Sequence, residues 1–282
     1  MARRSPPNSM SSCAKYARPD RIPPLHITLK PFWLTLFVWA AFAHPPVRAE
    51  EACPDDTQDI DTDRPDVTNS SLAVPLGSLQ AENGINWTGG RGSVLDGSNS
   101  RVRLGVAHCS EILVDLPDYT TPLSRSGPSG FSGVAPAIKR QFEALPAGLT
   151  AAAVVGTLLP TGSGHFSRDG YAPYIQLPWA QDLSEGWKVD GMATATWFPS
   201  QANALAEQIT LSVAHEVGPD AEVFGEYIGD YRTHEALRSS LNFGGGYRFT
   251  KTQQIDIHAG FVLNAPGTFF GVGYSLRFDG LE

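Results

Sequence analysis

Phe269-Phe270-Gly271-Val272-Gly273-Tyr274-Ser275-Leu276-Arg277-Phe278 decides the fold. In an extended chain Phe270, Val272, Tyr274, Leu276 and Phe278 share one face, while Gly271, Gly273, Ser275 and Arg277 share the other. One face is large, apolar and aromatic; the opposite face is small or charged. A strand of this kind suits the wall of a transmembrane β-barrel, where hydrocarbon faces lipid and polar groups face the lumen.

The same rhythm runs backwards through the chain. Leu79, Ala81, Ile85 and Trp87 oppose Gln80, Glu82, Gly84, Asn86 and Thr88 over 78–88. Ser100 to His108, Gly186 to Phe198, Leu237 to Phe249 and Gln254 to Phe261 alternate in the same way. Weaker candidates fill 111–117, 132–143, 148–159, 171–181, 206–216 and 221–229. The total is about twelve strands, most of them near the 9–11 residues a tilted strand needs to cross a bilayer. The gaps between them alternate long and short from 89–99 through 230–235, as expected of long outer loops and short periplasmic turns. The fold class expected is therefore all-β, a transmembrane antiparallel up-and-down barrel over residues 78–282.

The amino terminus is of a different kind. Arg3, Arg4, Lys15, Arg18, Arg21 and Lys30 precede the apolar run Phe32–Ala43, and Val47-Arg48-Ala49 follows. A basic region, a short apolar core and a small-residue site read as a secretory signal over 1–49. The run is too short for a spanning helix, which takes roughly 20 apolar residues. Residues 50–77 are acidic and Pro-rich without periodicity, and read as a periplasmic tail or a plug.

Residues 1–49 hold seven of the 21 Lys and Arg and one of the 29 Asp and Glu, so the remainder carries a net charge of −14. Nucleic acid is thereby excluded as a partner, since nothing would neutralise its phosphates. Cys53 and Cys109 remain in the exported part, where thiols meet an oxidising compartment. The strand registration puts both on the periplasmic side. A disulfide clamping the tail under the barrel and a pair of free thiols both stay open.

The lumen-facing positions carry both signs of charge: Glu82, Arg101, Arg103, Glu111, Asp115, Lys139, Lys188, Asp190, Glu226, Arg238, Arg248, Asp256 and Arg277 among them. Each would cost a few kcal/mol against lipid near the midplane. Glu82, Arg101, Arg103, Glu226, Arg238 and Arg248 are the expected constriction residues. A cross-linked wall and a selectivity constriction share this alternation, and the residues do not separate them. Trp87, Trp179, Trp187, Trp197, Tyr227 and Tyr247 fall mostly near strand ends, as an interfacial aromatic girdle would.

No enzyme is expected. His108-Cys109-Ser110 are neighbours whose side chains alternate between faces, as do Ser212 and His215, and no nucleophile elbow or HExxH pair is present. Asp61-Thr62-Asp63-Arg64-Pro65-Asp66 holds several carboxylates but lacks the oxygen count and turn glycine of a calcium loop, so charged plug contact is the favoured reading. No cofactor and no metal are expected.

Two resemblances add to this. Gly273, Leu276 and Phe278 resemble the carboxy-terminal signal of bacterial outer-membrane barrels, which implies the barrel-assembly machinery as a partner; here a tail, Asp279–Glu282, follows the aromatic. Thr62-Asp63-Arg64-Pro65-Asp66, Val74-Pro75-Leu76-Gly77 and Gln80-Ala81-Glu82-Asn83-Gly84 resemble the opening signature of a family of outer-membrane barrels named for a MetA pathway of phenol degradation. Leu159-Pro160-Thr161-Gly162, Glu226-Tyr227 and Gly271–Phe278 extend the likeness to about 58–278, while Lys139-Arg140 replaces the usual Lys-Tyr and Pro136 interrupts the fourth strand. The resemblance implies passive passage of small solutes, aromatic ones included, across a bacterial outer membrane, with outer-membrane lipid as the surrounding partner. It supplies no ligand residues. The alternative is a closed structural barrel plugged by its N-terminal segment.

Overall fold

The computed structural model describes residues 53–281, apart from 91, 124–126, 144, 147, 202–203 and 234. The signal segment expected at 1–49 lies outside the described residues. Fourteen strands follow one another: β1 (Leu79–Gly89), β2 (Val94–Ala107), β3 (Ser110–Asp115), β4 (Tyr119–Pro122), β5 (Gly130–Phe131), β6 (Ala135–Gln141) and β7 (Leu149–Leu158). The rest are β8 (Ala172–Asp182), β9 (Trp187–Phe198), β10 (Ala204–Glu216), β11 (Ala221–Arg232), β12 (Arg238–Thr250), β13 (Gln253–Val262) and β14 (Thr268–Phe278).

These make a closed antiparallel barrel of twelve staves. β3 and β4 both pair with β2, and β6 and β5 pair with β3 and β4 in turn, so two staves are each broken once. Closure comes from the stretch quoted at the outset: β14 pairs with β1 along its whole length, from Leu79↔Phe278 through Asn83↔Tyr274 to Gly89↔Thr268. A sheet with no free edge pairs its backbone groups internally, which a lipid surround requires. Among the described residues no helix is long and apolar enough to cross a membrane.

The side chains point as the alternation requires. Gln80, Glu82, Arg103, Glu111, Lys139, Glu226, Asn242 and Ser275 are buried inside, whereas Ile85, Ile138, Val155, Ile209, Phe243 and Ile257 are exposed outside. Trp187, Trp197, Tyr227 and Tyr247 also stand on the exposed exterior. An apolar exterior around a charged interior inverts the layout of a soluble domain. One small apolar patch, Leu113, Ala135, Ala137, Val154 and Tyr174, lines the inside of β3, β6, β7 and β8. Pro136 does not break its stave; it sits opposite Val114 in the β3–β6 ladder.

The connections depart from the expected pattern. β2 begins at Val94 and not near Ser100, so the supposed long loop 89–99 is a tight link over 90–93. Gly84 to Thr88 of β1 supply the ladder that Val94–Ser98 complete, which overrides the turn-like Gly, Ser and Asn there. Part of the supposed loop 118–131 is folded as β4 and β5, and the expected short turn 144–147 runs over 142–148. Long and short connections therefore alternate less strictly than the sequence suggests.

Candidate functional site

Residues 53–77 run inside the barrel and are bonded to its wall. Asp63 is the hub. Its carboxylate meets Arg101 at 2.8 Å, Lys139 at 3.2 Å and Arg103 at 3.5 Å. Its backbone N–H donates to Glu82, and Ser70 N–H donates back to its side chain. Burial alone would raise the Asp63 pKa, but Arg103, Lys139 and Arg101 outweigh it and hold the carboxyl well below the usual range.

Arg103 shows why this is a built site. A guanidinium has five N–H donors, and all five are used. Nε and Nη2 donate to Glu111, Nη1 to Glu82 and to the Asp61 carbonyl, and Nη2 also to the Leu72 carbonyl. Lys139, with no exposed side chain, bonds the Ser70 and Leu72 carbonyls and pairs with Glu111 at 3.2 Å. Arg101 grips Asp115 through two bonds and reaches Asn69 in the plug.

Further along, Glu226 accepts from the Val67 and Thr68 backbone N–H groups, the Thr68 hydroxyl and Asn242. Arg64 pairs with Asp256 at 3.3 Å. Arg277 donates to the carbonyls of Asp56, Gln58 and Asp59. Ala73 N–H bonds Gln141, and Val74 N–H bonds Glu111. Inward-facing glycines leave the room this needs. A Cβ at Gly105 would lie 1.9 Å from the Pro75 carbonyl oxygen, and one at Gly84 would fall on the Arg64 guanidinium.

Of the expected constriction residues, Glu82, Arg101, Arg103 and Glu226 all come together on the plug. Arg238 and Arg248 do not join them. Arg238 borders the cavity at the end away from residues 53 and 281, and Arg248 lies at the opposite, terminal end, 3.7 Å from Asp59. Asp63 was not singled out as a wall partner, although the Thr-Asp-Arg-Pro-Asp motif flagged its segment. Cys53 and Cys109 are joined, with Cα atoms 5.1 Å apart, at the terminal end. His108 and Glu143 stand beside them, but with both sulfurs in a disulfide no thiolate is left to hold a metal.

Two cavities flank the plug. The far one, about 340 Å³, is bordered by Phe166, Phe269, Arg168, Arg238 and His258 among others. The terminal-end one, about 450 Å³, is bordered by Trp179, Lys188, Asp190 and Glu222 among others. Arg64, Pro65, Asp66 and Asn69 line both. Burial, then the Glu226 and Asp190 carboxylates, push the Asp66 pKa well above its ordinary value.

A closed antiparallel barrel with an apolar exterior, a charged lumen and its own N-terminal segment wedged inside is a barrel of the outer-membrane type. The chain belongs to the family described as "Putative MetA-pathway of phenol degradation", whose profile matches residues 62–278. Its fold is similar to that of an outer membrane channel from Pseudomonas putida F1, at 14% identity and a TM-score of 0.56, covering 81% of this chain and 100% of that one. KdgM porin in complex with disordered oligogalacturonate is similar at 10% identity and a TM-score of 0.51, covering 70% of this chain and 99% of the porin. NanC porin is similar at 11% identity and the same TM-score, covering 70% and 98%. At these identities the likeness is one of fold. None of the curated proteins matches the chain in sequence.

Proposed function

We propose that this protein is an outer-membrane channel through which small solutes, aromatic ones among them, cross passively, and that residues 53–77 close it until they shift. The observation that carries this is the pair of cavities, one at each end of the lumen, that meet at Arg64–Asn69. The apolar exterior suits outer-membrane lipid, and β14 supplies the carboxy-terminal strand that barrel-assembly machinery would take up. The end that holds residues 53 and 281 then faces the periplasm.

Liposome swelling tests it, with aromatic acids, sugars and amino acids as osmolytes and folding checked by heat-modifiable migration. The full chain is expected to pass small solutes slowly, and a variant lacking 54–75 to pass them faster. Swelling from neither folded barrel favours a second reading, a closed structural barrel. The dense bonding of the plug to the wall is what speaks for that reading.

A further inference from the structure

The terminal-end cavity is lopsided in charge. Seven carboxylates border it against three basic groups. Each basic group is already matched: Lys188 to Glu222 at 3.4 Å, Arg64 to Asp256 at 3.3 Å, and Arg248 to Asp59 at 3.7 Å. Asp61, Asp66, Asp182, Asp190, Glu216 and Asp220 have no cationic side chain within 4 Å among the described residues.

One of these carboxylates points to a missing partner. Asp190 is only 7% exposed, and its Oδ1 is buried with no hydrogen-bond partner among the described residues. Ser212, opposite it on β10, is the buried hydroxyl that faces it. Lys188 offsets part of the Asp190 charge, while Glu222 and Glu226 add to it. A buried carboxylate oxygen without a donor favours the arrival of a cation or a proton. Asp66, which reaches the same cavity from the plug, is crowded by Glu226 and Asp190. The far cavity leans the same way, with six carboxylates to four arginines.

We propose that the terminal-end cavity is a cation filter, so that the channel favours cations over anions, with Asp190 as the residue that sets the preference. This rests on the channel reading above. A narrow passage between low-dielectric walls focuses the field of its lining charges. At physiological salt the screening length is about 8 Å, long enough for such a field to act across a space of this size. Charged side chains lining a pore sort ions by sign in this way.

The test is the reversal potential in planar bilayers under a KCl gradient, for the full chain and for the variant lacking 54–75. The expected result is a potential of the K⁺ sign, with K⁺ favoured over Cl⁻ several-fold. In the full chain, Asp190→Asn is expected to move the potential towards zero. Should that variant fail to fold, Asp182→Asn with Asp220→Asn, at exposed positions lining the cavity, is expected to move it in the same direction. Currents without sign preference, or of the Cl⁻ sign, overturn the filter and leave the channel standing. An unmoved potential in a folded variant overturns it as well. No current from either folded barrel overturns both readings.

Discussion

Asp63 is the residue on which plug and wall depend most, because three cations converge on one carboxylate at 1% side-chain exposure. Removing one partner of a buried ion network leaves uncompensated charge and costs roughly 3–5 kcal/mol. Asp63→Asn is therefore expected to loosen the plug by about that amount, with proteinase K cutting within 54–75 at rates at least tenfold above wild type. Equal protection would show that Arg101, Arg103 and Lys139 are neutralised by the wall alone. Asp63 and Asp66 respond to pH in opposite senses. The Asp63 pKa is lowered on docking, so its contribution is complete above the ordinary value of 3.8 and is lost only below it. The Asp66 pKa is raised on docking, so docking tightens as pH falls from that raised value towards 3.8. Glu226, Asp190 and Glu222 face Asp66 with like charge and Lys188 with opposite charge. Protease protection of the plug is expected to rise from pH 8 to pH 5 in wild type and to change less in Asp66→Asn. Equal slopes in the two proteins would remove Asp66 from the account.

At the scale of the strand, one substitution on each face separates the roles of lipid and plug. Val272 stands mid-strand on the exposed side of β14, so Val272→Arg is expected to cost roughly 2–4 kcal/mol in a bilayer. Refolding into vesicles at graded urea reads that loss. Gly105→Val acts on the other side: its Cβ would meet the Pro75 carbonyl, a backbone atom that yields little, so the barrel should fold with the plug displaced near residues 74–76. A protected plug in that variant would mean the docking there is looser than its geometry. Strand existence and facing were legible in the sequence because a period of two residues survives any tertiary context. Ladder partners such as Arg101 beside Glu82 on one side and Asp115 on the other were within reach of the same reading. The start of β2 was not, since Asp96-Gly97-Ser98-Asn99 has turn composition, yet Asp96–Ser98 is paired into the ladder by β1 and β4. The plug contacts were less legible still. Asp63 meets residues 38 and 76 positions away, and no periodicity in a Pro-rich acidic stretch encodes that distance.

In the whole molecule the plug is a loop fixed at both ends. Gly77 leads into β1, and Cys53 is bound to Cys109 in the first turn at the terminal end. A plug that leaves its bonds on the wall can then move only as a closed loop, and it stays close to the lumen. Cutting one end lets it leave altogether. For a loop of about two dozen residues the chain-entropy account gives about 3.5 kcal/mol for such a closure. That corresponds to a shift on the order of a few hundredfold between plugged and cleared barrels, at about 1.4 kcal/mol per factor of ten. Cys53→Ser with Cys109→Ser is therefore expected to clear the passage more often. Swelling rates should approach those of the variant lacking 54–75, and a reducing agent added to wild type should reproduce the effect. The barrel should not be weakened, because its staves are joined by ladders that the disulfide does not touch. If the double variant swells no faster than wild type while the deletion does, the bonds centred on Asp63 and Glu226 hold the plug by themselves. The disulfide would then fix only the position of the amino terminus.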